Sequence, residues 1–354
     1  MTTRRGSIKD APGAEAGINF TDSNVVDAGR AQAHPGGQRR QVMINGRRVK
    51  TVDVHAHCVV QEAMNLFNAT PRLKSKPIVA LDRIREMDEQ GIDIEALSIN
   101  PDWYRLDREL ANRVVTIQNE KLAELCAAHP DRFAGFASVA LQYPDLAVRQ
   151  FENAIKNLGL RGVAVGSKVV ADEFSDPKFH PFWAKCEELG TVVFIHPMRV
   201  PELKKRFEGS GWLDNIIGNP LDTTIALTHL IFEGTLDRFP GLKICAAHGG
   251  GYLPSYAPRS DAVWRVRPEL CTIKLKKKPT EYLRQIYIDS VVFTPEMLRH
   301  LVAEVGAGHI VIGTDHPVGW ENNPVDHILN TPGLADEERE AILGGNARKL
   351  LGIE

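Results

Sequence analysis

From residue 80 onward the chain alternates, almost without a break, between stretches with the apolar period of an amphipathic helix and short runs that are apolar at nearly every position. The spacing predicts helices over 80–90, closed by Gly91, then about 107–128, 144–157, 178–189, 223–237, 295–305 and 335–351, with 252–283 mostly helical or irregular. Between them it predicts strands at 95–100, 133–139, 162–165, 191–196, 242–248, 285–289 and 309–315. Residues 52–58 supply one more in front, making eight. Strands that are apolar along their whole length belong in a parallel sheet covered on both faces, and a helix is the usual crossover between parallel neighbours. Eight such repeats predict an α/β fold, a closed (β/α)8 TIM barrel. The rival is an open doubly wound sheet, which requires a Gly-rich phosphate turn after its first strand; this chain has none there.

Residues 1–41 are polar, rich in Gly, Ala, Arg and Asp, and lack hydrophobic periodicity, so they read as a flexible or surface-draped N-terminal arm. The barrel domain is expected to span 42–354. It opens on Met43-Ile44-Asn45-Gly46-Arg47-Arg48-Val49, where Asn-Gly between short extended pieces predicts a hairpin running into the first strand. A formal charge of −2 and a pI near 6.6 remove any global electrostatic case for nucleic acid or an anionic membrane, and no apolar run reaches spanning length. Arg4-Arg5 is not followed by the apolar region of an export signal, and the five cysteines are scattered without a C-x-x-C, as reduced thiols are. The expectation is a cytoplasmic protein.

Placed on this map, the chemistry-bearing residues fall at one end. In a strand, side chains alternate faces, so His55 and His57 of Val52-Asp53-Val54-His55-Ala56-His57-Cys58 project to the same side. His196 closes the fifth strand, His248 the sixth and Asp315 the eighth. All strand C-termini of such a barrel open on one mouth, where active sites are built. The remaining histidines do not follow the rule. His34 is in the arm, His129, His180, His229 and His300 are in or beside helices, and His309 opens a strand at the opposite end; these read as structural or solvated. His316 and His327 lie on the mouth side with both readings open. Three imidazoles and one carboxylate suit a borderline divalent ion, Zn2+ most naturally with Mn2+ as the alternative, which would lower the pKa of a bound water to about 7. His248, beside that set rather than within it, is placed as a general base that takes a proton and returns it. Gly249-Gly250-Gly251 follows it and permits close approach of backbone.

These residues carry a family resemblance. The chain resembles the amidohydrolase superfamily and, within it, the aminocarboxymuconate-semialdehyde decarboxylase group, over roughly residues 50 to 353. Its supports are Asp53-Val54-His55-Ala56-His57, Arg85-Glu86-Met87-Asp88-Glu89-Gln90-Gly91-Ile92-Asp93, Phe194-Ile195-His196-Pro197, Ala247-His248-Gly249-Gly250-Gly251, Arg267-Pro268-Glu269-Leu270-Cys271 and Gly313-Thr314-Asp315-His316-Pro317. The resemblance implies metal ligation by His55, His57, His196 and Asp315, and an acid–base role for His248. It also implies that Arg259 reaches a substrate carboxylate, in the family often across a dimer interface, and that Trp212 lines the pocket. A homodimer or higher homo-oligomer is therefore expected. Two departures bear on the substrate and leave the metal site alone. The family's longer insert after H-x-H, with its arginine patch, is replaced by a short linker carrying Arg72, Lys74 and Lys76, and its usual Tyr after the last Asp is His316 here.

Other residues weigh less. Lys168 is offset past its strand, which suits a pocket-edge lysine better than a carbamylated bridge between two metals. Trp103 and Tyr104 follow the second strand, where stacking on an aromatic or diene substrate and packing against the rim are both open. Lys274, Lys276, Lys277 and Lys278 lack interleaved aromatics and read as a solvated face. The expected activity is metal-dependent, non-oxidative decarboxylation of an unsaturated or aromatic carboxylic acid, with metal-bound water and His248 supplying acid–base catalysis. The alternative is a hydrolase of a C–C, amide or ester bond, or a hydratase, using the same site. A third reading, a barrel used only as a scaffold, predicts decay of the site, and all five residues are present.

Overall fold

Eight parallel strands follow one another in chain order around a single sheet: β1 (Val52–His57), β2 (Ile94–Ser98), β3 (Phe133–Ala137), β4 (Gly162–Val165), β5 (Val192–Ile195), β6 (Lys243–Ala246), β7 (Ile286–Asp289) and β8 (Ile310–Val311). The computed structural model describes residues 18–19, 39–67, 80–209, 211–270, 273–320 and 323–354. Arg4-Arg5, His34, Arg72, Lys74, Lys76 and Cys271 lie outside them. The sheet closes on itself where the chain after β8 returns to β1. Val54 N donates to Ile312 O at 3.0 Å, His57 N to His316 O at 2.8 Å and Asp315 N to His55 O at 2.8 Å. With helices between successive strands, this is the (β/α)8 barrel.

Most strand and helix expectations hold to within a few residues, and the differences have local causes. The eighth strand, expected over 309–315, is regular only at Ile310–Val311. Beyond it the segment pairs with β1 through isolated bridges, Asp53 with Ile312 and Ala56 with His316. Between them Thr314 N (3.1 Å) and Thr314 Oγ1 (2.6 Å) donate to the Asp53 carboxylate, and Asp315 takes φ 56°. The helix expected over 223–237 starts earlier and is interrupted, as Asn219–Phe232 and Thr235–Arg238, because Gly234 takes φ 78°. In the hairpin, Asn45 (φ 50°) and Gly46 (φ 74°) adopt the left-handed pair that a two-residue turn between Met43–Ile44 and Arg47–Arg48 requires. Upstream of it, Ile18–Asn19 pairs antiparallel with Val59–Val60, just past β1.

The interior beneath the mouth is aromatic. Phe136 of β3 and Phe194 of β5 stack at 5.8 Å with 18° between ring planes. Their strands are not neighbours, so the pair crosses the inside of the barrel, and the Phe194 ring lies 5.1 Å from His55. The far end is closed by the C-terminal helix, expected as one piece over 335–351. It is built as Asp336–Glu340, a π-helical turn at Ala341–Gly345 and Asn346–Leu351. The wide turn brings buried Gly344 against the chain entering β1: a Cβ there would stand 1.9 Å from Lys50 O. Gly344→Ala is expected to cost about 1–3 kcal/mol by overpacking against rigid backbone, read as a lower midpoint of thermal unfolding. An unchanged midpoint would mean this helix does not hold its place against β1.

Among the described residues, no helix is long and apolar enough to cross a membrane. Cys58, Cys126, Cys186 and Cys245 are free thiols.

Candidate metal centre

His55 and His57 at the end of β1, His196 just after β5 and Asp315 after β8 converge so that one ligand-type atom from each lies within 4.8 Å of the others. His55 Nε2 and His57 Nε2 are 3.0 Å apart, and Asp315 Oδ1 stands 3.1 Å and 3.2 Å from them. The His196 ring centroid lies 5.2 Å from that of His55 and 4.6 Å from that of His57.

The other nitrogen of each ring is already engaged. His55 Nδ1 meets Asp289 Oδ2 at 2.6 Å, His57 Nδ1 meets Ser98 Oγ at 3.0 Å, and His196 Nδ1 meets Pro197 O at 3.0 Å. Ser98 Oγ donates in turn to Ala56 O (3.1 Å), so it accepts from His57. With Nδ1–H donated outward in all three, three Nε2 lone pairs and a carboxylate oxygen face one another. That arrangement repels unless a cation lies among them, and outward Nδ1 bonds are how metal-binding histidines are oriented. The surrounding fields call for positive charge at this point, and a proton on His55 supplies it where a bound cation would take its place. Burial alone would discharge His55, but the fields of Asp315 and Asp289 override it and push its pKa up to about 10. Burial drives His57 down to about 4, and drives His196 well below the usual histidine range with neighbouring imidazoles adding to it. Asp315 is held well below the ordinary carboxylate range because His55 and its hydrogen bonds outweigh burial. Three imidazole nitrogens and one carboxylate oxygen fit a single borderline divalent ion.

His248 stands beside this set. It begins the turn after β6 at φ 56°, a strained value for a residue with a Cβ. Asp289 pins it: its Oδ2 accepts from His248 N (2.9 Å) while its Oδ1 accepts from Gly249 N (2.8 Å) and Val291 N (3.0 Å). Gly251, at φ 68°, admits the neighbouring helix, since a Cβ there would meet Pro220 O at 2.2 Å. His248 Nε2 is 3.6 Å from Asp315 Oδ2, and its buried Nδ1 has no protein partner among the described residues. A cavity of about 390 Å3 opens over His57, His196, His248 and Asp315, with Trp212 and Arg199 farther along its wall.

The other expected site residues are placed as follows. Trp212 lines the cavity, is 56% exposed and takes φ 63°. Trp103 is fully buried with its Nε1 donating to Val139 O (2.9 Å), and it does not line the cavity. Arg259 is exposed on the outer helix Leu253–Val266, away from the cavity of its own chain. Lys168 Nζ lies 3.6 Å from Asp222 Oδ1 and 3.6 Å from Glu202 Oε2, outside the ligand cluster. His316 joins a buried network, 3.0 Å from Glu86 Oε2 and 3.4 Å from Glu95 Oε1, with Arg83 paired to Glu95 at 2.6 Å. Asp289, Ser98 and Arg199 are not among the site residues expected from the sequence. Asp289 had a usable signal, since it ends β7 just as the ligands end or follow theirs.

A barrel carrying this donor set at the C-terminal ends of its strands defines a metal-dependent barrel enzyme. The chain belongs to the amidohydrolase family, whose model matches residues 52–353. It is 33% identical over 275 residues to the 2-amino-3-carboxymuconate-6-semialdehyde decarboxylase of Dictyostelium discoideum, covering 77% of this chain and 76% of that one. The structure of 5-carboxyvanillate decarboxylase from Sphingomonas paucimobilis is similar with a TM-score of 0.80 at 26% identity, covering 86% of this chain and all of that one (100%). A dihydroxybenzoic acid decarboxylase from Polaromonas sp., solved with bound manganese and the inhibitor 2-nitroresorcinol, is similar with a TM-score of 0.74 at 26% identity, covering 86% of this chain and 97% of that one.

Proposed function

We propose that this enzyme is a metal-dependent, non-oxidative decarboxylase of an unsaturated or aromatic carboxylic acid. The observation that carries the reading is the juxtaposition of His248 with the four-residue cluster at the base of the cavity, in a chain whose relatives are decarboxylases. His55, His57, His196 and Asp315 would hold one divalent ion, which would supply a Lewis acid for a substrate oxygen conjugated with the reacting carbon. His248 then delivers a proton to the carbon bearing the carboxylate. The bond from that carbon to the carboxylate breaks, its electron pair restores the conjugation, and CO2 leaves; solvent reprotonates the imidazole. Asp289 keeps His248 and His55 in register during this exchange.

Zn2+ is the ion assigned to the three-imidazole set, and manganese, present in the Polaromonas relative, is the alternative. A homodimer or larger homo-oligomer is part of the proposal. Along the helix Leu253–Val266, Tyr256, Arg259, Val263 and Val266 are exposed at i, i+3, i+7 and i+10, an outward stripe that a second copy would cover while Arg259 enters the partner's cavity. The free thiols support a reducing compartment, the cytoplasm.

The test is a product assay on candidate aromatic and diene carboxylates in 18O-labelled water with the metal-loaded protein. Decarboxylation predicts CO2 release, with solvent hydrogen and no label entering the remaining product. Labelled oxygen in that product would sink the proposal and favour hydrolysis or hydration.

A further inference from the structure

The cavity wall holds a charge that the metal chemistry does not use. Among the described side chains lining the cavity, Arg199 is the one with a permanent positive charge. It sits three residues past His196, where Met198 N is anchored on Asp222 Oδ2 (2.7 Å), and it takes φ 85°. An arginine seldom adopts that backbone, and such outliers concentrate at ligand sites. Its Nη1 is 3.2 Å from Asp214 Oδ2, yet the guanidinium makes no hydrogen bond among the described residues and is about half exposed. Apart from that one ion pair, the guanidinium donors have no protein partner among the described residues. The partner is no strong competitor, because Asp214 is itself 43% exposed and its other oxygen accepts from Asn215 N (3.0 Å).

We propose that Arg199 is a specificity-determining residue that grips a second carboxylate of the substrate, remote from the one lost as CO2. This rests on the decarboxylase reading and sharpens it to dicarboxylic acids. A carboxylate fits the guanidinium fork with two parallel charge-assisted hydrogen bonds, which Asp214 does not make. Asp102 and Asp214 also line the cavity, so away from the metal centre Arg199 is the charge of this chain that favours an anion. On binding, the ligand takes the guanidinium from Asp214.

Binding of two inert probes, benzoate and isophthalate, to the metal-loaded protein is measured by calorimetry for the wild type and for R199M, R199K and D214N. Isophthalate is expected to bind at least about tenfold more tightly than benzoate, the scale of one charged hydrogen bond. R199M is expected to erase that preference and leave benzoate unchanged, R199K to restore part of it, and D214N to enlarge it. A wild type that binds neither probe, an R199M that weakens both acids equally, or one that keeps the preference would each overturn the proposal. Failure of the decarboxylase reading looks different: no acid loses CO2, while the Arg199-dependent binding preference persists.

Discussion

Replacing His248 by glutamine is expected to lower turnover by about 10^2–10^4-fold, the range for loss of a positioned acid–base group, while one metal per chain stays bound. Glutamine approximates the length of the ring and keeps the backbone N–H that donates to Asp289. It shares the penalty for φ 56°, so the turn should hold its shape. What disappears is the imidazole that would carry the proton. The four cluster residues are untouched, so metal analysis of the purified variant should match wild type. Loss of the metal together with activity would make His248 a fifth ligand instead, and retention of more than a tenth of the activity would remove it from the proton transfer.

The meeting of these five side chains at one mouth was visible in the sequence for a physical reason. In a parallel barrel, a strand is mostly apolar until it ends, and polar residues at its C-terminal end are delivered to the mouth. His55 and His57, His196, His248 and Asp315 all stand at such ends, and the fold brings them together across more than 250 positions of chain, as the His57–Asp315 contact shows. The barrel was legible by the same logic, since eight nearly continuous apolar runs with helical spacing between them leave few other solutions.

What the pattern left out is irregular backbone and indirect contact. Apolar period does not reveal that Gly234 breaks a helix or that the turn around Gly344 widens to pass Lys50, because both depend on what the segment meets in space. Arg199 follows a strand in a segment with no period, and its place on the cavity wall is set by a left-handed residue that composition does not announce. The outer helix Leu253–Val266 contains Pro258 and carries Arg259 outward, so any contribution of that arginine must be sought across an interface.

Asp289→Asn should be the change outside the ligands that most weakens metal binding, lowering the affinity by about 10–100-fold, the usual effect of losing a partner behind a ligand. The native carboxylate accepts four hydrogen bonds and donates none: Gly249 N and Val291 N on Oδ1, His55 Nδ1 and His248 N on Oδ2. An asparagine has one oxygen and one NH2, and either orientation fails. With NH2 in the Oδ1 position it confronts two backbone donors, and the turn carrying His248 must move. With NH2 in the Oδ2 position it still opposes His248 N–H. It can also donate to His55 Nδ1, which moves the ring proton to Nε2 and blocks the lone pair that faces Asp315 and His57. Both branches damage the site through atoms that never touch the metal. Competition with a chelator at fixed pH measures the affinity, and kcat on the metal-saturated variant reports the turn separately. If the dissociation constant and kcat of the variant both match wild type, the tautomer lock assigned to Asp289 is wrong. If saturating metal restores kcat in full, His55 is the residue Asp289 controls, and a kcat that stays low at saturation assigns its main effect to His248.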